Sequence, residues 1–300
     1  MWTTSNMPDQ TGKTVIITGG NTGIGYETAL ALVKAGAAVT LACRDLEKAD
    51  KAAEAIRQQT ERGSVETAVL DLVSLKSVQQ FAEQFNKTNS KLDVLINNAG
   101  VMYCPELKTE EGFELQFGVN FIGHFALTGY LYPLLRATLG SRVVTVSSMA
   151  YLRGQINFDN LHSEQSYDAA REYSQSKLAD ILLSRELDRR SKQAGDSVLS
   201  VAAQPGANST ELSRHMNQED FAAAVQRVGA LMEPWQGALP SLYAATMPDV
   251  QGDDFYSPHE DGGYRGYPVK FAYADNAQDE ATAARLWDLA QQTTGIYFPA

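Results

Sequence analysis

Residues 14–18 (Thr-Val-Ile-Ile-Thr) form a short β-branched apolar run that feeds directly into Gly19-Gly20-Asn21-Thr22-Gly23-Ile24-Gly25 and then into a helical stretch over 26–35. Gly36 suits the cap of that helix, and Ala-Val-Thr-Leu-Ala over 38–42 reads as a second strand. Strand, glycine-rich turn, helix and strand make a βαβ unit, whose strands run parallel with the helix laid across one sheet face. The backbone N–H groups of the turn and the positive end of the helix dipole form a site for a pyrophosphate, which glycines let the main chain approach closely. Gly19, Asn21, Thr22, Gly23, Ile24 and Gly25 are the candidate contacts. The spacing Gly19-x-x-x-Gly23-x-Gly25 is not the common G-x-G-x-x-G, and tight turns also need glycine, so the reading rests on the βαβ context.

The alternation continues. Residues 46–61 are helical and charged on one side, 65–70 form a third strand ending in Asp71-Leu72, 74–86 a helix, and 92–96 a fourth strand ending in Asn97-Asn98-Ala99-Gly100. A long apolar-periodic helix over 113–135 contains Asn120, and a fifth strand over 142–146 delivers Ser147-Ser148. A helix carries Tyr173 and runs to about residue 190, and a sixth strand over 198–203 ends at Gln204-Pro205-Gly206. Sequential βα units with short connections predict an α/β fold, a doubly wound parallel sheet with helices on both faces and ligand at the carboxyl ends of its strands. Beyond Gly206 the pattern weakens. Residues 208–229 look helical, polar and loosely patterned, and read as a small helical substrate lid; 252–270, rich in Gly, Pro and Tyr, read as surface loop. The expected organisation is a single domain over 1–300, with a nucleotide-binding and catalytic core at 13–206, lid and loops at 207–260 and a C-terminal segment at 261–300.

With 44% hydrophobic residues the chain can bury a large core, and with 20% charged residues it is not of a disordered type. A formal net charge of −11 argues against nucleic acid or an anionic membrane as partner, because phosphate surfaces repel it. Cys43 and Cys104 share no framework spacing, which fits reduced thiols in a cytoplasmic protein. His124, His162, His215 and His259 are scattered without metal-ligand spacing, so no metal is implied and each is expected to be structural or exposed. Met1-Trp2-Thr3-Thr4-Ser5-Asn6 has neither a basic region nor an apolar core, and the longest apolar stretch, 121–135, is interrupted by His124 and Pro133. Neither secretion nor membrane spanning is expected.

The strand ends hold the remaining candidates. Where a carboxylate at the end of the second strand would bind the ribose hydroxyls of NAD, this chain has Cys43-Arg44-Asp45. An acid there repels a 2′-phosphate, whereas the Arg44 guanidinium offers a planar fork of donors, so NADP(H) is the expected cofactor. The alternative is a surface Arg44 paired with Asp45 or Glu47. Asp71, next to Leu72, either approaches the adenine or caps the following helix. Asn98, Ala99 and Gly100 suit a turn beneath a dinucleotide, and Pro205 and Gly206 close the last strand end in the same layer.

Tyr173 and Lys177 stand four residues apart in Tyr-Ser-Gln-Ser-Lys, a spacing that shares one helix face. A free phenol titrates near ~10, and an ammonium held beside it favours the phenolate and pulls that value toward the working range. The pair reads as a tuned proton donor and acceptor. With 13 tyrosines in the chain the spacing also arises readily by chance, as a solvated lysine beside a half-buried tyrosine, and its weight comes from the nucleotide turn before it.

Taken in this order, Thr18-Gly19-x-x-x-Gly23-Ile24-Gly25, Asn97-Asn98-Ala99-Gly100, Asn120, Ser148, Tyr173-x-x-x-Lys177 and Pro205-Gly206 resemble the short-chain dehydrogenase/reductase family, with its Rossmann-type fold, over about 13–210. Residues 39–45, the 24-residue segment between Ser148 and Tyr173, and 205–212 are more similar to the branch of retinol dehydrogenases, WW-domain oxidoreductases and protochlorophyllide reductases. The resemblance implies that Tyr173 is the acid/base, that Lys177 holds the nicotinamide ribose and lowers the phenol's pKa, and that Asn120 supports a water linking Lys177 to solvent. It also implies that Ser148, rather than Ser147, hydrogen-bonds the substrate oxygen. Thr210 either contacts the carboxamide side of the cofactor or caps the next helix.

The expected activity is NADP(H)-dependent interconversion of a carbonyl and an alcohol on a small to medium, fairly apolar substrate, in a pocket built by 151–167 and 208–235. Membrane-bound eukaryotic members of the branch carry an N-terminal anchor that this chain lacks, so a retinoid is not the expected substrate. Rival readings are reduction of a carbon–carbon double bond, as in protochlorophyllide reductases, and a non-catalytic NADP(H)-sensing protein. Family members pair as homodimers or homotetramers through the helices carrying Asn120 and Tyr173; the long segment before Tyr173 could block that face and leave a monomer.

Overall fold

The computed structural model describes residues 1–299. Eight strands form one sheet: β1 (Thr14–Thr18), β2 (Ala38–Cys43), β3 (Ser64–Val69), β4 (Val94–Asn97), β5 (Arg142–Val146), β6 (Leu199–Ala203), β7 (Phe255–Glu260) and β8 (Arg265–Lys270), in the order β3-β2-β1-β4-β5-β6-β7-β8. All pairs are parallel except β7 with β8. The chain winds outward from β1 to β3, then returns to β4 on the other side of β1, which opens a crevice at the carboxyl ends of β1 and β4.

Alternation along each strand divides the core in two. Val15, Ile17, Leu41, Ile96, Val144 and Val201 point to one face, where they pack with α1 (Gly23–Lys34), α2 (Leu46–Arg57) and, from further along the chain, a helix over Pro234–Thr246. Ile16, Leu95 and Val143 point to the other, toward α3 (Leu75–Thr88) and the long helices described next. A sheet buried on both faces reads as continuous apolar runs, which is why these strands were visible in the sequence.

The expected helix over 113–135 is not continuous. It starts as the single turn α4 (Leu115–Phe117), passes through a π-helical turn at Gly118–Ile122 and becomes α5 (Gly123–Ala137). Asn120 sits in the π turn, an irregularity common at functional sites. The Tyr173 helix, α6, runs over Ala169–Ala194, capped by Asp168 accepting from Arg171 N and ended by Gly195 in the left-handed region.

Residues 208–229 begin as a 3-10 turn, Glu211–His215, before the exposed α7 (Gln218–Val228); α8 is the helix over Pro234–Thr246 and α9 spans Glu280–Thr294. The stretch 252–270, expected to be surface loop, instead supplies β7 and β8. Phe255 and Tyr256 are buried and pair with Ala202 and Ala203, extending the sheet. Prolines disguised the hairpin: Pro258 and Pro268 face each other next to a register shift, with Pro268 on the edge strand, where a missing N–H is tolerated.

Trp287 of α9 is fully buried, 5.0 Å edge-on from Phe125 and 4.9 Å from Phe298, and the Arg190 guanidinium lies 5.1 Å over its ring. Burying each such side chain is worth about 2 kcal/mol. The C-terminal segment therefore packs against α5 and α6, the helices expected to serve pairing between copies. Among the described residues no helix is long and apolar enough to cross a membrane.

Candidate functional site

A cleft of about 380 Å³ at the carboxyl ends of β1 to β4 is lined by Gly19, residues 21–25, Arg44, Asp71, Leu72, residues 98–100 and Thr210. Its floor is held from below. Thr18 Oγ1 accepts from the N–H groups of Asn98 and Ala99, each at 2.9 Å, and Asn98 Nδ2 donates to the Thr18 carbonyl at 2.8 Å. The turn above is tight at its glycines: a Cβ at Gly25 would strike the Gly19 carbonyl and lie 2.6 Å from Asn98 Nδ2. At Gly23, φ is +54° and an added Cβ would lie 3.3 Å from Thr210 Cγ2. These bare backbone positions, at the start of α1, fit the pyrophosphate of a dinucleotide.

Arg44 is exposed at the cleft, and the alternative pairing does not form: Asp45 accepts from Lys48 N at 3.1 Å as the cap of α2, and Glu47 pairs with Lys51 at 2.6 Å. Lys48, passed over in the sequence, adds a second cation to the lining. Behind them Cys43 is buried, and burial pushes its thiol up to about 11, against the N–H groups of residues 19–21, which pull the other way. The second strand thus ends on a neutral group. Asp71 does not cap α3; its Oδ1 accepts from Val73 N at 3.0 Å, and Ser74 occupies the N-cap position. Thr210 lines the cleft and also accepts weakly from Leu212 N, at 3.4 Å.

Tyr173 and Lys177 lie one turn apart on α6, 4% and 5% exposed, with Lys177 Nζ 5.9 Å from the phenol ring centroid. The ammonium donates to the Val146 carbonyl at 3.0 Å and to Asp180 Oδ2 at 2.8 Å. Sequence reasoning missed Asp180. Burial raises the Tyr173 phenol above its ordinary range; Lys177 and the Ser148 hydroxyl pull it down without overcoming that, and Asp180 adds to the rise. In the protein without a bound cofactor, burial outweighs the pull of Lys177 on the phenol.

The two serines separate cleanly. Ser147 Oγ donates to the Lys177 carbonyl at 2.7 Å, inside the core, whereas Ser148 faces Tyr173 and the open pocket. Asn120 is fully buried; its Oδ1 accepts from Val101 N at 2.9 Å and its Nδ2 donates to the Val101 carbonyl at 3.0 Å and to Ser176 Oγ at 2.9 Å. It joins the loop after β4 to α6.

A second pocket of about 250 Å³ opens from Tyr173, and Pro205 and Gly206 line it. Ile24, Asn98, Gly100 and Thr210 line both cavities, so the two are continuous. The walls are Met102, Tyr103, Met149, Met216, Phe221, Val225, Leu231 and Tyr264. Tyr103 sits 6.1 Å from the Tyr173 ring at a φ of 54°, a strained conformation for a tyrosine, held by its N–H to Gln116 Oε1 at 2.7 Å. The expected walls are only partly right. From 151–167 just Arg153 reaches the pocket; Tyr151 is core, and Tyr167 donates to the Cys104 carbonyl at 2.5 Å, so this segment seals the loop after β4. Trp235 lines a different depression, and Tyr264, from the hairpin, was not foreseen.

The short chain dehydrogenase family model matches residues 13–220. Retinol dehydrogenase 14 of Mus musculus is 42% identical over 298 residues, covering 95% of this chain and 86% of its own length. The crystal structure of an uncharacterized protein from Mycobacterium Paratuberculosis superposes with a TM-score of 0.83 at 40% identity, covering 100% of this chain and 99% of that one. A Beutenbergia cavernae protein described as an NAD(P) dependent gluconate 5-dehydrogenase, with bound NADP, superposes with a TM-score of 0.63 at 28% identity, covering 80% and 92%. With its nucleotide cleft, its Tyr173 and Lys177 pair and these relatives together, the chain belongs to the short-chain dehydrogenase family of oxidoreductases, in the retinol dehydrogenase branch.

Proposed function

We propose that this protein is an NADP(H)-dependent oxidoreductase that interconverts a carbonyl and an alcohol on a small to medium, fairly apolar substrate. The observation that carries the reading is the position of Tyr173, with Ser148 facing it, where the dinucleotide cleft meets a pocket walled by Met, Phe, Val and Leu side chains. A bound nicotinamide supplies or removes the hydride. Ser148 donates a hydrogen bond to the substrate oxygen, and Tyr173 delivers a proton to it as negative charge develops there, or takes one in the reverse direction. Lys177 binds the nicotinamide ribose, and Asn120 braces the Val101 loop beside it, where a water it supports would link Lys177 to solvent. The apolar walls keep bulk water from the reacting carbon.

Arg44 and Lys48, with no carboxylate at position 43, favour the 2′-phosphate of NADP(H), and the bound NADP of the Beutenbergia relative agrees with that preference. Gly19, Asn21 to Gly25, Asp71, Leu72, Asn98 to Gly100, Pro205, Gly206 and Thr210 complete the cofactor site. The chain acts as one unit in the cytoplasm, with 13–206 as catalytic core and 207–260 contributing a lid over the pocket. The α9 cover on α5 and α6 favours a monomer over pairing through those helices.

A panel of carbonyls and alcohols, followed at the nicotinamide absorbance with NADPH and with NADH, tests the proposal. Tyr173→Phe is expected to abolish turnover and to keep NADPH binding. Native rates in that variant would overturn the role given to the phenol.

A further inference from the structure

Asp180 lies on α6, three residues after Lys177, is 1% exposed, and places Oδ2 2.8 Å from Nζ. Its other oxygen, Oδ1, has no hydrogen-bond partner among the described residues. A buried carboxylate with one oxygen idle is an expensive way to hold an ammonium, since an amide would supply the same acceptor without the charge. The charge itself is the distinctive feature, and it stands beside the ammonium that pulls the Tyr173 phenol down.

We propose that Asp180 is a positioning residue for the reaction described above: as the buried counter-ion of Lys177 it holds that ammonium and keeps Tyr173 a proton donor, setting the site for carbonyl reduction at neutral pH. The proposal rests on the acid/base role of Tyr173. In reduction the phenol gives its proton to the carbonyl oxygen, and a bound nicotinamide would supply the hydride, one proton with two electrons, that the carbon takes up. A phenol that ionised near neutrality would suit alcohol oxidation instead.

The neighbouring charges leave this role to Asp180. From the loop after β4 comes Tyr103; from α5, His124, which is neutral and hydrogen-bonded on both nitrogens. The 3-10 turn Met149–Arg153 offers Arg153, exposed at the pocket. On α9, Asp288 pairs with Arg190 at 3.2 Å and Glu280 acts on Arg185, both further along the helix. At the start of α6, Glu172 pairs with Arg171, and Glu114 caps α4. Burial pushes Asp180 up to about 7, so in the alkaline range where a phenol titrates it is ionised and opposes the phenolate.

The test is an ultraviolet titration of phenolate absorbance, taken as the difference between the protein and Tyr173→Phe, which isolates one phenol among 13 tyrosines and needs no substrate. Asp180→Asn keeps the acceptor for Lys177 and removes the charge. Its Tyr173 midpoint is expected to fall by about one pH unit or more, with the alkaline limb of kcat/KM for carbonyl reduction moving down alongside. A midpoint coinciding with that of the native protein overturns the proposal. Should the single variant fail to fold, Asp180→Asn combined with Lys177→Met removes both charges; its midpoint is expected to lie below that of Lys177→Met alone, where the carboxylate still opposes the phenolate, and coincidence of the two overturns the proposal. A chain that reduces no carbonyl but shows the shifted midpoint would sink the functional reading while leaving the counter-ion in place.

Discussion

Thr18 Oγ1 stands 2.9 Å from Nε2 of His124. The Asn120 carbonyl can only accept, so Nδ1 donates to it at 2.8 Å, and Nε2 of the neutral ring is left to accept from the Thr18 hydroxyl. The imidazole is a strut from β1 to the π turn. His124→Leu would remove both hydrogen bonds of the ring, and is expected to lower the unfolding free energy by about 3 kcal/mol near neutral pH in urea denaturation. Burial holds the ring down to about 4 from its ordinary 6.5, so the unfolded chain takes up its proton first. The contribution of His124 is full above 6.5 and is lost as pH falls from 6.5 toward 4, so the gap between native protein and variant should narrow across that window. A gap that stays constant would contradict a neutral buried ring.

Arg44→Ala should weaken NADPH binding by about 10- to 100-fold, the equivalent of one or two charge-assisted hydrogen bonds, and leave NADH binding nearly unchanged. Fluorescence titration with the two reduced cofactors reads this directly. Equal losses for both would mean that Arg44 touches something other than the 2′-phosphate.

The adjacent serines should part company when each is changed to alanine. Ser147→Ala removes a buried bond to the Lys177 carbonyl and should cost about 1 kcal/mol of stability, with a modest effect on turnover. Ser148→Ala removes a cap bond from Ala150 N, so its stability cost should also be about 1 kcal/mol, but it should lower kcat by about 100-fold or more. Thermal scans and initial rates on both proteins decide the assignment.

Gly25→Ala puts a methyl group against the Gly19 carbonyl and the Asn98 amide, neither of which can swing away. The turn must open, so dinucleotide binding should be lost, with a stability cost of about 1–3 kcal/mol. Calorimetric titration of NADPH into the folded variant checks it; native affinity would show the cradle to be looser than its contacts imply.

What could be read in the chain, and what could not, follows from how each residue is engaged. β1, β2, β5 and β6 announce themselves because both of their faces are buried, and the cleft residues do so because close approach demands glycine and small side chains at strand ends. β7 and β8 stayed hidden because Phe-Tyr-Ser-Pro-His-Glu and Arg-Gly-Tyr-Pro-Val-Lys mix proline with half-exposed positions at a sheet margin. His124 looked like scatter because its partner Thr18 is 106 residues away. Asp180 drew no notice, since spacing says nothing about whether a helix face meets water or core.

The hairpin between β7 and β8 carries one more implication. Its tip residue Tyr264 reaches into the apolar pocket, its carbonyl accepts from Ala207 N at 2.9 Å, and its flanking strands close the sheet. A guest that presses on this aromatic ring therefore tugs on the outermost ribbon of the molecule. Amide hydrogens along 255–270 should exchange more slowly whenever the pocket is filled, giving a remote gauge of occupancy that needs no knowledge of the compound inside.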